Sequence, residues 1–130
     1  VDPRDAAVIV AGGRGAGTVD GWRLLEDLAG ALGAAVGGTR VAVDMGCIQR
    51  DRMIGQTGKS VRPRLYVGAG VSGISHHSGG VDAQLTIAIN TDRNAPIMRS
   101  ADLGVLGDLH EIIPLLVRRI TQIKAERERE

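Results

Sequence analysis

The chain predicts an α/β layered fold: about five short strands in a mostly parallel sheet, with helices packed on its faces. Three observations carry this expectation. Short runs of Val, Ile, Leu and Ala recur between helical or irregular segments, as parallel strands joined by right-handed crossovers require. The 43% apolar content is almost wholly aliphatic, because Phe is absent and Trp and Tyr occur once each. Strands buried on both faces of a parallel sheet have that composition. The length, 130 residues, suits one domain able to bury a real core.

Taken in order, residues 1–5 form a polar lead-in of the kind seen at a cut point or linker. Ala6 to Ala11 is a continuous apolar run and the first expected strand. It feeds Gly12, Gly13, Arg14, Gly15 and Gly17, a glycine-rich turn with one guanidinium at its centre. An Arg among glycines directly after a strand is better explained as an anion clamp than as a solvated charge, since its planar fork pairs bidentately with phosphate. Trp22, Leu24, Leu25, Leu28, Ala31 and Leu32 then recur at helical spacing, with Thr18 or Asp20 as cap and Gly33 past the end. Trp22 is expected to pack in the core.

Thr39 to Asp44 alternates as a second strand, opened by Arg40. Residues 47–63 show no sustained period, and a connection of that length is often functional. Inside it, Gly58-Lys59-Ser60 invites a phosphate-binding P-loop reading. That motif needs glycine where Met53 stands, so the reading fails. What remains is an amide and a hydroxyl between two glycines and an ammonium directly after them, equipment suited to a flat heterocycle or to a solvated turn.

The central stretch is Arg64 to Gly80. Leu65 to Val67 reads as a buried strand running into Gly68, Gly70 and Gly73, spaced G-x-G-x-x-G, and on to His76 and His77. Glycines after a strand allow close approach to a phosphate, which the following helix N-terminus would attract. The pattern alone fits a nucleotide loop or an ordinary glycine-rich turn equally. Leu85 to Ile89 is another strand, ending at Asn90 and Asp92. Ala95 to Met98 is expected to be extended because of Pro96. Leu103 to Leu106 is the last strand. Asp108 caps a final helix with Glu111 as capping-box partner, Pro114 is expected to kink it or split off its first turn, and residues 125–130 to fray.

Composition excludes several classes. A net charge of +1 gives no nucleic-acid footprint. Cys47 is the lone cysteine, so no internal disulfide forms, and a reducing compartment is the default. No apolar run is long enough for membrane insertion and no signal peptide opens the chain. Nothing marks a metal site or a catalytic group.

Arg14, Asp44, Ser72, Asn90 and Asp108 all fall at or just past strand ends, where sheets of this kind bind ligands. Together these stretches resemble the C-terminal FAD-binding domain of the electron transfer flavoprotein alpha subunit, a Rossmann-like three-layer sandwich. The matching pieces are 11–15, 39–44, 54–59, 66–73 ending in His77, 87–97, and 101–104 followed by 107–109, in family order along nearly the whole chain. The resemblance implies FAD as cofactor and roles by position. Arg14 and the Ser72, Gly73, Ile74 and Ser75 turn would hold the pyrophosphate. Thr39 and Arg40 would lie beside the isoalloxazine, lined by Ile54, Gly55, Gln56 and Thr57, with the Thr57 hydroxyl donating to flavin N5. His77 would face the pyrimidine edge of the ring, with His76 next to it. Asn90, Asp108 and Leu109 would contact the adenosine.

The family also implies an electron carrier rather than a substrate-converting enzyme. It would accept electrons from flavin dehydrogenases, such as acyl-CoA dehydrogenases of fatty acid β-oxidation. They would pass toward a quinone oxidoreductase and the respiratory chain, in the bacterial cytoplasm or the mitochondrial matrix. A beta subunit would complete a heterodimer, and this piece would be the FAD-binding domain alone, a fragment or isolated domain. Thr39 stands where the family commonly has Ser, Gln49 where Pro is frequent, and His76 where Gln is common. Other readings of the same sheet are an NAD-using enzyme, with His77 as base, and a nucleotide-sensing module.

Overall fold

The computed structural model describes residues 5–54, 61–72 and 81–129. Among them run β1 (Val8–Gly12), α1 (Val19–Leu32), β2 (Ala35–Gly38), α2 (Arg40–Asp44), β3 (Leu65–Ala69), β4 (Leu85–Asn90), α3 (Pro96–Ser100), β5 (Leu103–Leu106) and α4 (Leu109–Glu128). Single 3-10 turns occupy Arg14–Ala16 and Arg50–Arg52. The five strands form one sheet in the order β2-β1-β3-β4-β5, and every neighbouring pair is parallel.

Period-2 alternation sends successive side chains to opposite faces, so two apolar layers form. On one face Val10, Val67 and Ile89 meet Leu25 and Leu28 of α1 and Leu109 and Ile113 of α4. On the other, Ile9, Ala11, Tyr66 and Ala88 meet Ile54, Val61, Ala95 and Ile97. The result is the three-layer α/β arrangement that the sequence predicts. Burial pushes the Tyr66 phenol above its ordinary range, which keeps it neutral in this core. No helix of the described residues is long and apolar enough to cross a membrane.

Several local expectations are corrected. The second strand is Ala35–Gly38, whereas Arg40–Asp44 is helical. The reason is Thr39, whose hydroxyl accepts the Ala42 N–H and caps a helix there instead of continuing a strand. Pro96 occupies the first turn of α3, where its fixed φ suits a helix, so only Ala95 before it is extended. The Asp108 carboxylate caps α4 through the His110 N–H, and the Glu111 N–H bonds the Asp108 carbonyl, so no capping box forms. Helix α4 runs through Pro114 as one element, so its first turn is not split off. The acceptor that Pro114 cannot serve is the carbonyl of His110, an exposed residue in the first turn, where water can satisfy it. The charged end stays helical to Glu128, with the Lys124 ammonium on the Ala31 carbonyl at the end of α1. Thr18 caps α1 through Gly21, and Gly33 closes it with φ 66°, both as expected.

Candidate functional site

The chain leaves β1 toward β2 on one side and returns to β3 on the other side of β1. At such a switch point the loops diverge and leave a crevice beyond the carboxyl ends of the strands. Here the two diverging turns are joined by backbone hydrogen bonds. Gly15 N–H donates to the Gly70 carbonyl at 3.1 Å, and Gly13 N–H to the Ala69 carbonyl at 3.4 Å. A Cβ on Gly13 would meet the Gly70 carbonyl oxygen at 2.7 Å, and one on Gly15 would meet Gly70 Cα at the same distance. Gly70 itself has φ 66°, in the left-handed region. The glycines flanking Arg14 therefore let two loops close on each other, and Arg14 is left exposed at the seam.

Further bonds extend this seam across the sheet edge. The Thr39 N–H donates to Gly12 carbonyl at 3.0 Å, and Gly70 N–H to Ile89 carbonyl at 3.0 Å. The Asn90 amide donates to Val71 carbonyl at 2.9 Å, and Gly107 N–H to Asn90 carbonyl at 2.9 Å. The Ser72 carbonyl accepts from Ile97, which fixes the end of the β3 turn. The carboxyl ends of all five strands thus form one hydrogen-bonded ledge. The Ile54 N–H joins it through the Gly38 carbonyl at 2.9 Å.

Arg14, Thr39, Arg40, Ile54, Ser72, Asn90, Asp108 and Leu109 all lie on or directly after this ledge. Arg40, expected to open a strand, sits instead just past β2 at the start of α2. The remaining sequence candidates, Gly55, Gln56, Thr57, Gly73, Ile74, Ser75, His76 and His77, lie outside the described residues. The described groups differ in what they have left to offer a ligand. Arg14 is exposed and no carboxylate of the described residues pairs with it. Arg40 is exposed and its Nε lies 3.8 Å from Asp44, a contact weakened by water. Thr39 is buried, and its hydroxyl oxygen accepts from Ala42, which leaves the hydroxyl proton available to donate. Ile54 and Leu109 are buried, so their part is backbone and packing. Asn90 uses one amide hydrogen on Val71 and its carbonyl on the Asp92 N–H.

Asp108 is held below the usual carboxylate range, first by the His110 backbone N–H and then by its ring nitrogen. That ring contact, Nδ1 to Oδ1 at 2.9 Å, was not among the sequence candidates. The readable signal is a histidine two residues after a capping aspartate, a spacing that brings the ring back over the cap. Two cavities of about 500 and 420 Å³ lie off the ledge, sharing Trp22, Glu26 and Cys47 beside α1. Neither is lined by Arg14, Thr39, Ser72 or Asp108.

Thr39 also gives a stability prediction. Thr39→Ala removes the cap of α2 and should cost about 1 kcal/mol, with Thr39→Ser restoring most of it. A urea midpoint unchanged in the alanine variant would contradict the capping role.

A cation beside close-packed glycine turns, a buried hydroxyl donor and a low-pKa carboxylate suit a ligand carrying both a diphosphate and sugar hydroxyls. Comparison with known proteins agrees. Residues 3–82 match the family described as the electron transfer flavoprotein FAD-binding domain. Over 125 residues the chain is 46% identical to an electron transfer flavoprotein subunit alpha of Thermoanaerobacterium thermosaccharolyticum, covering 95% of this chain and 38% of that one. It is 44% identical over 124 residues to the mitochondrial subunit alpha of Arabidopsis thaliana, covering 95% and 34%. It is 48% identical over 116 residues to the subunit alpha of Mycobacterium leprae, covering 88% and 36%. The chain spans little more than a third of the length of these relatives.

Proposed function

The chain belongs to the electron transfer flavoprotein alpha-subunit family, and from that premise we propose that it is the FAD-holding part of an electron carrier. The observation that carries the reading is the ledge at the switch point, with the Arg14 guanidinium exposed where two glycine turns close together. FAD is the cofactor that the matched domain binds, and the donor set here fits it. Arg14 pairs with the pyrophosphate, helped by the turn that begins at Ser72. Thr39 and Arg40 stand beside the isoalloxazine, with Ile54 and the segment from Gly55 to Thr57 along it, and His77 at its pyrimidine edge. Asn90, Asp108 and the Leu109 backbone hold the adenosine. Bound FAD supplies reversible one- and two-electron exchange, so the chain's own work is to bind, orient and tune it.

On this reading the protein carries electrons rather than converting a substrate. Its donors are flavin dehydrogenases, such as those acting on acyl-CoA, and its acceptor is a quinone oxidoreductase. An electron transfer flavoprotein beta subunit covers the rest of the flavin. The visible spectrum of the purified full-length protein tests the proposal. Flavin bands, with FAD released on denaturation, are expected. A protein that takes up no flavin, or binds NAD in its place, would overturn it.

The charge of Arg40 should show in the flavin's reduction potential. A cation beside the ring favours the reduced, more negative state, so Arg40→Ala should lower the potential. The drop should be modest, about 10–40 mV, because an exposed charge is worth under about 1 kcal/mol and Asp44 already tempers it. A potential that stays level or rises in spectroelectrochemical titration would remove Arg40 from the flavin's neighbourhood.

A further inference from the structure

We propose that His110 is a positioning residue: its ring holds one oxygen of Asp108 so that the other stays aimed at the ribose hydroxyls of the adenosine end. This rests on the reading that the adenosine lies at Asp108.

The geometry is specific to one carboxylate oxygen. Asp108 Oδ1 accepts the His110 backbone N–H at 2.8 Å and contacts His110 Nδ1 at 2.9 Å. Oδ2 receives no hydrogen bond from the described residues. The main chain here has little freedom. Gly107 N–H is tied to the Asn90 carbonyl, and the Asp108 carbonyl accepts from Glu111 and Ile112. What remains is rotation of the carboxylate, which the backbone bond to Oδ1 limits and the imidazole limits further. An acceptor oxygen held at the carboxyl edge of such a sheet is what a ribose diol needs.

The contact requires a proton on Nδ1. The imidazolium always carries one, whereas the neutral ring divides between two tautomers, one of which turns a lone pair toward Oδ1. Protonation of His110 therefore strengthens the hold. The two hydrogen bonds from His110 hold the Asp108 carboxyl below the usual carboxylate range. Other charged groups stand on the elements around it. On its own helix His110 has Glu111 beside it. Packed against α4, β4 holds no ionisable side chain, and α1 carries Asp20, Arg23, Glu26 and Asp27. Among the described residues only Asp108 forms an ion pair with His110.

The test is FAD affinity of the full-length protein at about pH 6 and about pH 8, within the range where histidine side chains in general change charge, for wild type, His110→Phe and His110→Asn. Wild type should bind more tightly at the lower pH. His110→Phe should bind about threefold to tenfold more weakly there, the scale of one exposed hydrogen bond, and lose the pH dependence. His110→Asn puts an amide donor where Nδ1 was, so it should recover affinity without the pH dependence. In addition, Asp108→Asn should change the His110 ring-nitrogen signals read by NMR without any flavin present. His110→Phe behaving as wild type at both pH values would overturn the positioning role and leave the FAD reading intact. His110 ring signals that ignore Asp108→Asn would show that the pair does not form in solution. Failure of the wild-type protein to bind FAD would overturn the underlying reading and this inference with it.

Discussion

Gly70→Ala should destabilise the protein by roughly 2–5 kcal/mol, the sum of a left-handed backbone penalty and overpacking of a closed seam. At φ 66° an alanine is strained before any contact is counted. Its Cβ would also sit 2.7 Å from Gly15 Cα and 2.8 Å from Ala16 N, and both are backbone atoms that cannot rotate away. Relief would require the two loops to separate, which breaks the Gly15 N–H bond to the Gly70 carbonyl. Against a total stability of about 5–15 kcal/mol, such a loss is a large fraction. Gly30→Ala is the matched control. Gly30 lies exposed within α1 with nothing within 4 Å of its added Cβ. That change should stabilise by up to about 1 kcal/mol through helix propensity. Urea unfolding of both variants checks the pair. Equal midpoints would mean that the seam is not closed as described.

Arg14→Ala should weaken FAD binding by about 1–3 kcal/mol, or roughly fivefold to 150-fold, the range for losing a charged hydrogen bond. The guanidinium is exposed, so the loss should shrink as ionic strength rises and screening takes over. Arg14→Lys should recover only part of the affinity, because an ammonium cannot present the two parallel donors that a phosphate accepts from Arg. Stability should barely change, since Arg14 is exposed and no described carboxylate pairs with it. Calorimetric titration giving the same affinity for wild type and Arg14→Ala would remove Arg14 from the pyrophosphate.

The layered sheet was legible in the sequence because β1, β3, β4 and β5 are runs of aliphatic residues bounded by glycine or polar turns. The edge strand β2 was not. Its sequence, Ala35-Val36-Gly37-Gly38, carries two glycines, which weaken any strand signal. The glycines are there for space, since Ile54 lies against Gly37, and Ile48 and Trp22 against Gly38. The next six residues alternate better than the true strand, yet one hydroxyl at Thr39 converts them to a capped helix. Pro96 misled in the same way, because proline opens a helix as readily as it ends one.

The site was more legible than its parts. Each strand end carries a polar residue, and a parallel sheet brings those ends to one edge whatever the local detail. Hence placing β2 several residues earlier brought Arg40, expected to open a strand, onto that carboxyl edge at the start of α2. Contacts between distant segments were invisible, among them the Gly13 and Gly15 approach to Gly70 and the Asn90 bond to Val71. The ring of His110 on Asp108 escaped for another reason. An exposed histidine carries no periodic signal, and only the cap geometry gives it a partner.

The claim that FAD lies along the carboxyl edge at the switch point is tested most directly by hydrogen–deuterium exchange of the full-length protein with and without FAD. The account predicts slowed exchange at residues 12–17, 39–44, 69–72 and 106–109, and no change at residues 22–26 and 45–49 beside the Trp22 cavities. Protection centred on those cavities, with the glycine turns unaffected, would contradict it.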